Sequence, residues 1–164
     1  MTDYIHTRLK VSEAHGVKVC FFDKEGAELY DKHIWSVDKG WNTFYLHRMI
    51  TINGNRTKIY FHRELLGLKD GEIQDHWNRN GLDNRICNLR PSTHQENMCN
   101  QRIYKNNKSG IKGVFWDTKN KKWKARITHN ENHYHLGYFD NIKEAEKVVR
   151  AKRIELHGVF ANHG

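Results

Sequence analysis

Four polar residues in the middle of the chain have the types and order of a hydrolytic metal site. Asp75 and His76 are adjacent, Asn88 comes twelve residues after His76, and Asn97 comes nine residues after Asn88. An imidazole with a pKa near neutrality can accept a proton from water. Carboxylate and amide oxygens are hard ligands that suit Mg²⁺ or Mn²⁺ better than Zn²⁺. An ion held this way can bind a phosphate and stabilise a leaving oxygen, so the pattern indicates phosphodiester hydrolysis.

Two short strands and a helix are needed to position these residues. The sequence predicts, in order, a short helix over residues 62–67, a strand ending at His76, a tightly folded loop over residues 77–85, a strand over Ile86–Pro91, and a helix from about Thr93 to Tyr104. Thr93 and Glu96 have the spacing of a capping box. This order corresponds to a ββα unit, with His76 ending one strand, Asn88 opening the other and Asn97 on the helix.

The same residues carry a resemblance to a known family. Together, four motifs resemble the HNH endonucleases: Asp75-His76, Leu82-Asp83-Asn84-Arg85, Asn88-Leu89-Arg90 and Glu96-Asn97. The chain is most similar to phage and intron-associated homing endonucleases whose third motif residue is Asn instead of His. His62-Arg63-Glu64-Leu65 resembles the lead-in of that group. Trp77-Asn78-Arg79-Asn80 departs from the family's usual Ile-Asn-Gly-Asp or Asn, which affects loop contacts more than the chemical residues.

The resemblance implies a role for each matching residue. His76 would be the general base that activates water, and Asn88 would hydrogen-bond the backbone or the imidazole to orient it. Asp75 and Asn97 would bind one divalent ion, Mg²⁺ or Mn²⁺, per active site. Phosphate contacts could come from Arg79, Arg85 and Arg90. Three residues keep alternative readings: Asn100 and His94 as ligands in place of Asn97, and His62 as either a packing residue or a supporting group near the phosphate.

Positive charge is concentrated in the last third of the chain. Residues 1–100 contain 14 Lys and Arg against 13 Asp and Glu, whereas residues 101–164 contain 14 against 6. A basic module beside a near-neutral one indicates a nucleic-acid anchor attached to another activity. Residues 105–110 contain no apolar side chain and are predicted to be a linker. Three predicted strands follow, and then a helix that is capped by Asn141 and ended by Gly158, which gives a β-β-β-α module.

This C-terminal module also resembles a family. Ser109–Val114, Lys122–Ile127, Leu136–Asp140 and Gly158–Asn162 are similar to the DNA-binding domain of plant ethylene-response factors, the Apetala type. Alternation along the strands would turn Val114, Trp123, Ala125 and Ile127 toward the helix. The opposite face would then be the DNA-binding face, and it would carry Phe115, Lys122, Lys124, Arg126 and Thr128. Lys112 is also a candidate for this face, although its orientation is ambiguous. Phe115 and Asp117 stand where the family usually has positive charge, so the alternative is a sheet that binds phosphates without reading bases. His133 and His135 are interpreted as solvated strand residues.

The predicted fold class is α+β, in four segments. They are a β leader over residues 1–60, an HNH ββα-metal core over 61–104, a linker over 105–110, and an ethylene-response-factor-like domain over 111–162. The leader is expected to be an antiparallel β region with a structural role. Asp23–Gly26 is interpreted as a turn, and Asn53-Gly54 is predicted to form a hairpin turn. Cys20, Cys87 and Cys99 are expected to be reduced thiols, because they are odd in number and form no Cys-x-x-Cys pair.

Together these patterns predict a metal-dependent DNA endonuclease whose C-terminal domain positions the duplex. The expected partner is double-stranded DNA, with no membrane and no protein partner, and a monomer is favoured over a dimer. No signal peptide or membrane span is seen, so the protein is expected in the cytoplasm, that of the host cell if a phage encodes it. Two alternatives remain: a non-catalytic DNA-binding regulator with a nuclease-like fold, and an RNA-binding module.

Overall fold

The computed structural model describes residues 5–12 and 15–164, so residues 1–4 and 13–14 of the predicted β leader lie outside the described part. It has a mixed α+β fold with several antiparallel sheets. The elements are β1 (Ile5–Ser12), β2 (Gly16–Phe22), α1 (Lys24–Asp31), β3 (Ser36–Lys39), β4 (Phe44–Ile52), β5 (Asn55–Tyr60), α2 (Phe61–Leu65), β6 (Ile73–His76), β7 (Leu89–Ser92), α3 (His94–Cys99), β8 (Val114–Asp117), β9 (Lys122–His129), β10 (Asn132–Phe139) and α4 (Ile142–His157). The chain divides into two compact units at residues 93/94. In the described part, no helix is long and apolar enough to cross a membrane.

The first unit begins with antiparallel strands, as the sequence predicts. Strands β1 and β2 form a two-stranded antiparallel sheet, and β3, β4 and β5 form a three-stranded sheet. The predicted turn between β4 and β5 is confirmed, because Ile52 pairs with Asn55 across Asn53 and Gly54. Their φ angles are 50° and 80°, which are values that Asn and Gly adopt more easily than other residues.

Helix α1 corrects one prediction, because Asp23–Gly26 was expected to be a turn. Asp23 is instead the N-cap residue of the helix, and Gly26 is buried. A Cβ at Gly26 would lie 2.5 Å from Phe22 Cβ, so glycine lets this helix lie directly on β2. Glycine and aspartate disfavour helix interiors locally. Packing of the helix on the core of the first unit outweighs that preference. The core consists of Cys20, Phe22, Trp35, Val37, Leu46, Phe61 and Leu82.

Strands β6 and β7 form the antiparallel pair that carries the predicted catalytic residues. Asp75 pairs with Arg90, and His76 pairs with Leu89. The strand predicted over Ile86–Pro91 was wrong at its start, because Ile86–Asn88 is a 3₁₀ turn and β7 begins at Leu89. The Ile86 amide donates to Asp23 Oδ2 at 2.6 Å. Because this contact and those of the Asn88 side chain hold the segment as a turn, strand pairing begins only afterwards.

Helix α3 is shorter than predicted, since it ends at Cys99 and not near Tyr104. Lys112 Nζ donates to the carbonyl oxygens of Cys99 and Gln101, at 2.9 and 2.7 Å. Asn162 Nδ2 donates to Asn100 O at 2.5 Å. These carbonyls accept hydrogen bonds from side chains of the second unit and not from the amides of a further helical turn. The helix therefore ends here. The sequence grouped this helix with the nuclease core, whereas it belongs to the second compact unit.

The second unit contains a three-stranded sheet in the order β10-β9-β8, packed against α4. Val114, Ala125, Ala145 and Val149 form its buried core, and Trp123 and Ile142 pack around it. The predicted caps of α4 are confirmed. Asn141 Oδ1 accepts from the Lys143 amide at 2.8 Å, and Gly158 follows the helix with a φ of 51°.

A glycine allows the closest approach of backbone to helix in this unit. Gly113 has a φ of 83°, and a Cβ there would lie 2.6 Å from Arg126 O and 2.9 Å from Val149 Cγ2. Arg153 is fully buried beside it and donates from Nη2 to Lys112 O. The turn before β8 therefore requires a residue without a side chain.

We expect Gly113→Ala to lower the free energy of unfolding of the second unit by about 3 kcal/mol or more, because left-handed backbone strain of ~1–3 kcal/mol adds to a backbone clash. The control is Gly110→Ala, which has a φ of 71° and nothing within 4 Å of the added Cβ. Urea unfolding followed by amide NMR signals of β9 measures this unit alone. Equal effects of the two substitutions would contradict the proposed close packing at Gly113.

Candidate functional site

His76 lies buried at the end of β6, with a polar contact on each side of its ring. Its exposed fraction is 6%. Nε2 lies 3.4 Å from Asn84 Oδ1, and Nδ1 lies 3.5 Å from Gln74 Nε2. Both contacts fit the tautomer with its proton on Nε2, which leaves Nδ1 as an acceptor. Burial lowers the pKa of His76, although Asn84, Asp75 and Asp83 oppose the shift, so the ring is neutral at pH 7.

Three buried polar atoms around His76 have no hydrogen-bond partner among the described residues. They are Gln74 Oε1, Asn84 Nδ2 and His62 Nδ1. Gln74 and Asn84 contact the His76 ring through their other side-chain polar atom, and the His62 ring lies 5.1 Å from it in edge contact. Buried polar groups in native proteins are nearly always satisfied. This cluster can therefore accept and donate hydrogen bonds to a polar molecule beside His76.

Asp75, the predicted metal ligand of this unit, forms an ion pair with Arg90. Arg90 Nε and Nη2 both donate to Asp75 Oδ2, at 2.9 and 2.6 Å. Asp75 is 5% exposed, and the guanidinium also lies 4.9 Å from the centre of the Trp77 ring. Arg90 was predicted to contact phosphates, and in this structure it neutralises the carboxylate next to His76.

Asn88 uses its side chain to brace the loop between β6 and β7. Its Oδ1 accepts from the Asn78 amide at 2.9 Å, and its Nδ2 donates to Asp83 O at 2.7 Å. Its own carbonyl accepts from the Trp77 amide at 2.9 Å. Asn88 thus hydrogen-bonds the backbone, one of the two possibilities that the resemblance implied. The His76 ring nitrogens contact Gln74 and Asn84.

The same loop is anchored in the core of the unit. Leu82 is buried there, and its carbonyl accepts from the Phe21 amide at 2.8 Å. The Asn84 amide donates back to Phe21 O at 2.8 Å. A Cβ on Gly81 would lie 2.5 Å from the Tyr45 ring, so the loop packs directly on β4. These contacts fix the position of Asn84, and hence of its contact with His76.

Asp83 and Asn84 belong to one of the four sequence motifs, but the sequence predicted no role for either residue. Asp83 is 2% exposed and accepts from Arg85 Nε and Nη2, both at 2.7 Å, and from Asn78 Nδ2 at 2.7 Å. Burial would raise the pKa of Asp83, but the hydrogen bonds from Arg85 and Asn78 outweigh it and leave that pKa below its usual range. The motif itself could have indicated this role. In a tight loop, an aspartate and an arginine two residues apart can form an ion pair.

His62 packs in an aromatic cluster next to His76. Its ring is stacked on Tyr60 at 5.7 Å and lies 5.8 Å from the Tyr45 ring. Burial, together with the positive charge of the neighbouring His76 and Arg63, lowers the pKa of His62 to about 3. Of its two predicted roles, packing is the one these contacts describe.

The remaining candidate residues are Arg79, in the loop after His76, and three residues of the second unit. Arg79 follows His76 in the loop and has a left-handed φ of 64°. Asn97 and His94 are exposed residues of α3, in the second unit. Asn100 is buried, and its Oδ1 accepts from Asn162 Nδ2 at 3.1 Å. The cluster around His76 is therefore built from the first unit, and Asn97 is a member of the other unit.

The sheet of the second unit has the two faces that alternation predicts. Val114, Ala125 and Ile127 are buried on the α4 side. On the other face, Arg126 lies 4.7 Å from the centre of the Phe115 ring, and Lys124 lies 5.7 Å from that of Tyr138. Thr128 Oγ1 is hydrogen-bonded to His133 Nδ1 at 2.9 Å, and Lys122 Nζ donates to Asp140 Oδ2 at 3.0 Å. Lys112, which the sequence left ambiguous, is bound to the carbonyls at the end of α3.

A possible metal-binding group lies outside the residues that the sequence singled out as ligands. Cys99, His129 and His157 place one potential ligand atom each within 4.8 Å of one another, all in the second unit. Sequence reasoning missed this group because its members are about thirty residues apart. No short metal-ligand spacing connects them.

The first unit should lose stability in acid through its buried histidines. A histidine with a lowered folded-state pKa stabilises the fold above its unfolded pKa of about 6.5, and this contribution is lost as the pH falls toward the folded value. For His62, with a folded pKa of about 3, the loss between pH 6.5 and about pH 4 is on the order of 3 kcal/mol. We expect His62→Phe, which keeps the stacking on Tyr60, to remove this part of the pH dependence. Urea unfolding followed by amide signals of β4 measures it, and an unchanged pH dependence in the variant would refute it.

Comparison with known proteins gives one informative relative. No family model matches the chain, and no solved structure matches it. Protein 3.8 of Escherichia phage T7 is 32% identical over 91 residues, which are 56% of this chain and 74% of that protein. At that identity and coverage, the chain belongs to the same family as Protein 3.8 of Escherichia phage T7.

Proposed function

We propose that the protein is a metal-dependent HNH-type endonuclease of the homing class that hydrolyses phosphodiester bonds of double-stranded DNA. His76 acts as the general base, and Asn88 holds the loop that orients it. The sheet of the second unit positions the duplex. The proposal combines the sequence motifs with the geometry around His76.

The observation that carries the proposal is a buried, neutral imidazole among unsatisfied polar atoms. His76 Nδ1 is an acceptor whose contact with Gln74 Nε2 is long, at 3.5 Å, and a base must exchange such a contact for one with the attacking water. Gln74 Oε1 can accept a hydrogen bond and Asn84 Nδ2 can donate one, and neither has a partner among the described residues. A water molecule suits the free acceptor and a phosphate oxygen suits the free donor. Buried polar groups in native proteins are nearly always satisfied, so these atoms are suited to bind a water molecule or a ligand.

The predicted divalent ion fits the donor chemistry of Asp75. A buried carboxylate oxygen is a suitable ligand for Mg²⁺ or Mn²⁺. An ion bound there would share the carboxylate with Arg90. When bound, such an ion stabilises negative charge on the phosphate as a Lewis acid. Asn97, which the family resemblance implied as the second ligand, lies on α3 of the second unit, so the metal proposal rests on Asp75 alone.

The free face of the second sheet is the proposed DNA-binding surface. It carries Lys124 and Arg126 beside aromatic side chains, and residues 101–164 have eight more positive than negative side chains. Cationic side chains held over rings are pre-positioned for phosphates or base edges. Arg126 is exposed, whereas Lys112 Nζ is engaged by backbone carbonyls. Arg126 is therefore the stronger candidate for a DNA contact.

A DNA-binding protein without nuclease activity is the second candidate. Two observations favour it: Asp75 is paired with Arg90, and both Asp75 and His76 are nearly inaccessible, at 5% and 6%. An active enzyme needs access to both groups. Cleavage assays separate the two candidates, because only the nuclease requires His76.

We expect the protein to convert supercoiled plasmid to nicked or linear DNA with Mg²⁺ or Mn²⁺, and EDTA to abolish the conversion. His76→Ala should lower the rate by about 100-fold or more, the usual contribution of a general base. His33→Ala is the matched control, because His33 is an exposed histidine of the same unit. Broad-coverage genomic DNA is the second substrate, since one plasmid need not contain the target. Intact DNA in every reaction would reject the nuclease in favour of the second candidate, whereas full activity of His76→Ala would reject His76 as the general base.

Arg126→Ala should weaken binding to duplex DNA and lower the slope of log Kd against log salt by about one, as expected for one lost phosphate contact. Fluorescence anisotropy at several salt concentrations measures both quantities. Lys119→Ala, in the turn between β8 and β9, is the control for a lysine outside the free face. If RNA competes as well as duplex DNA, the sheet is a general polyanion surface. An equal effect of both substitutions would contradict the assignment of this face.

A further inference from the structure

The possible ligand group of the second unit joins the ends of three separate elements. Cys99 is the last residue of α3, His129 is the last residue of β9, and His157 is the last residue of α4. One ligand atom from each lies within 4.8 Å of the other two. In a tetrahedral zinc site, ligand–metal distances of about 2.0–2.3 Å place ligand atoms about 3.3–3.7 Å apart. Small side-chain adjustments therefore bring the three atoms onto one ion.

The contacts of these residues leave the ligand atoms available. Both ring nitrogens of His157 are buried without a hydrogen-bond partner among the described residues. The His129 and His157 rings lie 5.2 Å apart, and Cys99 is a free, buried thiol. Gln95 Nε2 lies 3.4 Å from His129 Nδ1, a contact that orients the ring from outside the group. An imidazole with two buried and unpaired nitrogens is costly unless something binds it.

A cavity adjoins the group and leaves room for another ligand. It has a volume of about 1010 Å³, and its walls include Cys99, His129, His157 and Gln95. Sites with three protein ligands keep their fourth position for water or another small ligand. The cavity supplies this position from residues of the second unit alone.

The chemistry of the three donors selects the kind of metal. One thiolate and two imidazoles suit Zn²⁺ and similar thiophilic ions, whereas Mg²⁺ requires oxygen ligands. Lys112 Nζ donates to the Cys99 carbonyl at 2.9 Å, so a positive charge lies beside the group. A metal cation can bind next to that charge if one of its ligands is negatively charged. Of the three donors, only Cys99 can supply a negative charge, as a thiolate.

We propose that Cys99, His129 and His157 bind one transition-metal ion of the Zn²⁺ class and thereby fasten α3 and α4 to the sheet. The site shares no residue with the proposed nuclease centre and does not rest on the proposed function. On binding, the Cys99 thiol releases its proton to solvent as the metal–sulfur bond forms. Because the three ligands come from three elements, the ion crosslinks the unit and stabilises its folded state.

The test is titration of the metal-free full-length protein with Co²⁺, followed by competition with Zn²⁺. We expect one equivalent of Co²⁺ to bind, with a thiolate-to-cobalt absorption band and the visible bands of a tetrahedral ion, and Zn²⁺ to displace it. Cys99→Ser should remove the thiolate band. His157→Ala should weaken binding by more than about 100-fold, since loss of even an outer partner costs about 10–100-fold.

Two matched controls keep the test specific. Cys87→Ser replaces an exposed free cysteine of the first unit, and His135→Ala replaces an exposed histidine of β10. Both should bind Co²⁺ as the wild type does. Zn²⁺ should raise the unfolding temperature of the β9 signals in the wild type and controls, but not in Cys99→Ser. Amide NMR spectra establish that each variant is folded. Absence of stoichiometric binding, or a thiolate band that persists in Cys99→Ser and disappears in Cys87→Ser, would overturn the proposal.

Discussion

The candidate site depends on two hydrogen bonds of the Asn88 side-chain amide. It accepts from the Asn78 amide and donates to the Asp83 carbonyl, and so closes the loop between β6 and β7 at both of its ends. Both polar atoms of this buried side chain are thereby satisfied, which makes the loop conformation expensive to change. Leu82 and the two bonds to Phe21 fasten the loop to the core. Asn84 is thereby set against His76.

The polar groups of the site fall into two sets: those that are hydrogen-bonded and hold the loop, and those beside His76 that have no partner among the described residues. Asn88, Asp83 and Arg85 are fully engaged with one another or with the backbone. The unsatisfied atoms are those next to the His76 ring, on Gln74, Asn84 and His62. A rigid shell around a few unpaired groups is the arrangement expected of a preorganised binding site. The ion pair between Asp75 and Arg90 is the contact that an incoming metal ion would have to share.

The second unit depends on close packing and on side chains that terminate its elements. Gly113 lets the backbone approach Val149 and Arg126, and Lys112 holds the carbonyls at the end of α3. The ends of α3, β9 and α4 come together as a result, and with them the thiol and the two imidazoles. The other face of the sheet keeps its cationic and aromatic side chains exposed. One small unit therefore has room for both the proposed nucleic-acid surface and the proposed metal site.

The sequence by itself determined the features that depend on local periodicity and turn chemistry. Alternation in Lys122–His129 sets which side chains of β9 are buried, Asn53-Gly54 sets the hairpin, and Asn141 and Gly158 set the ends of α4. The order of Asp75, His76 and Asn88 likewise indicates a β-hairpin site before any coordinates are known. Only the tertiary structure decided that Asp23–Gly26 starts a helix, because packing against Phe22 outweighs the local preference of glycine. It also decided that α3 belongs to the second unit, that Arg90 pairs with Asp75, and that Cys99, His129 and His157 meet. These outcomes depend on contacts between residues distant in the chain, and such contacts leave no short-range pattern in the sequence.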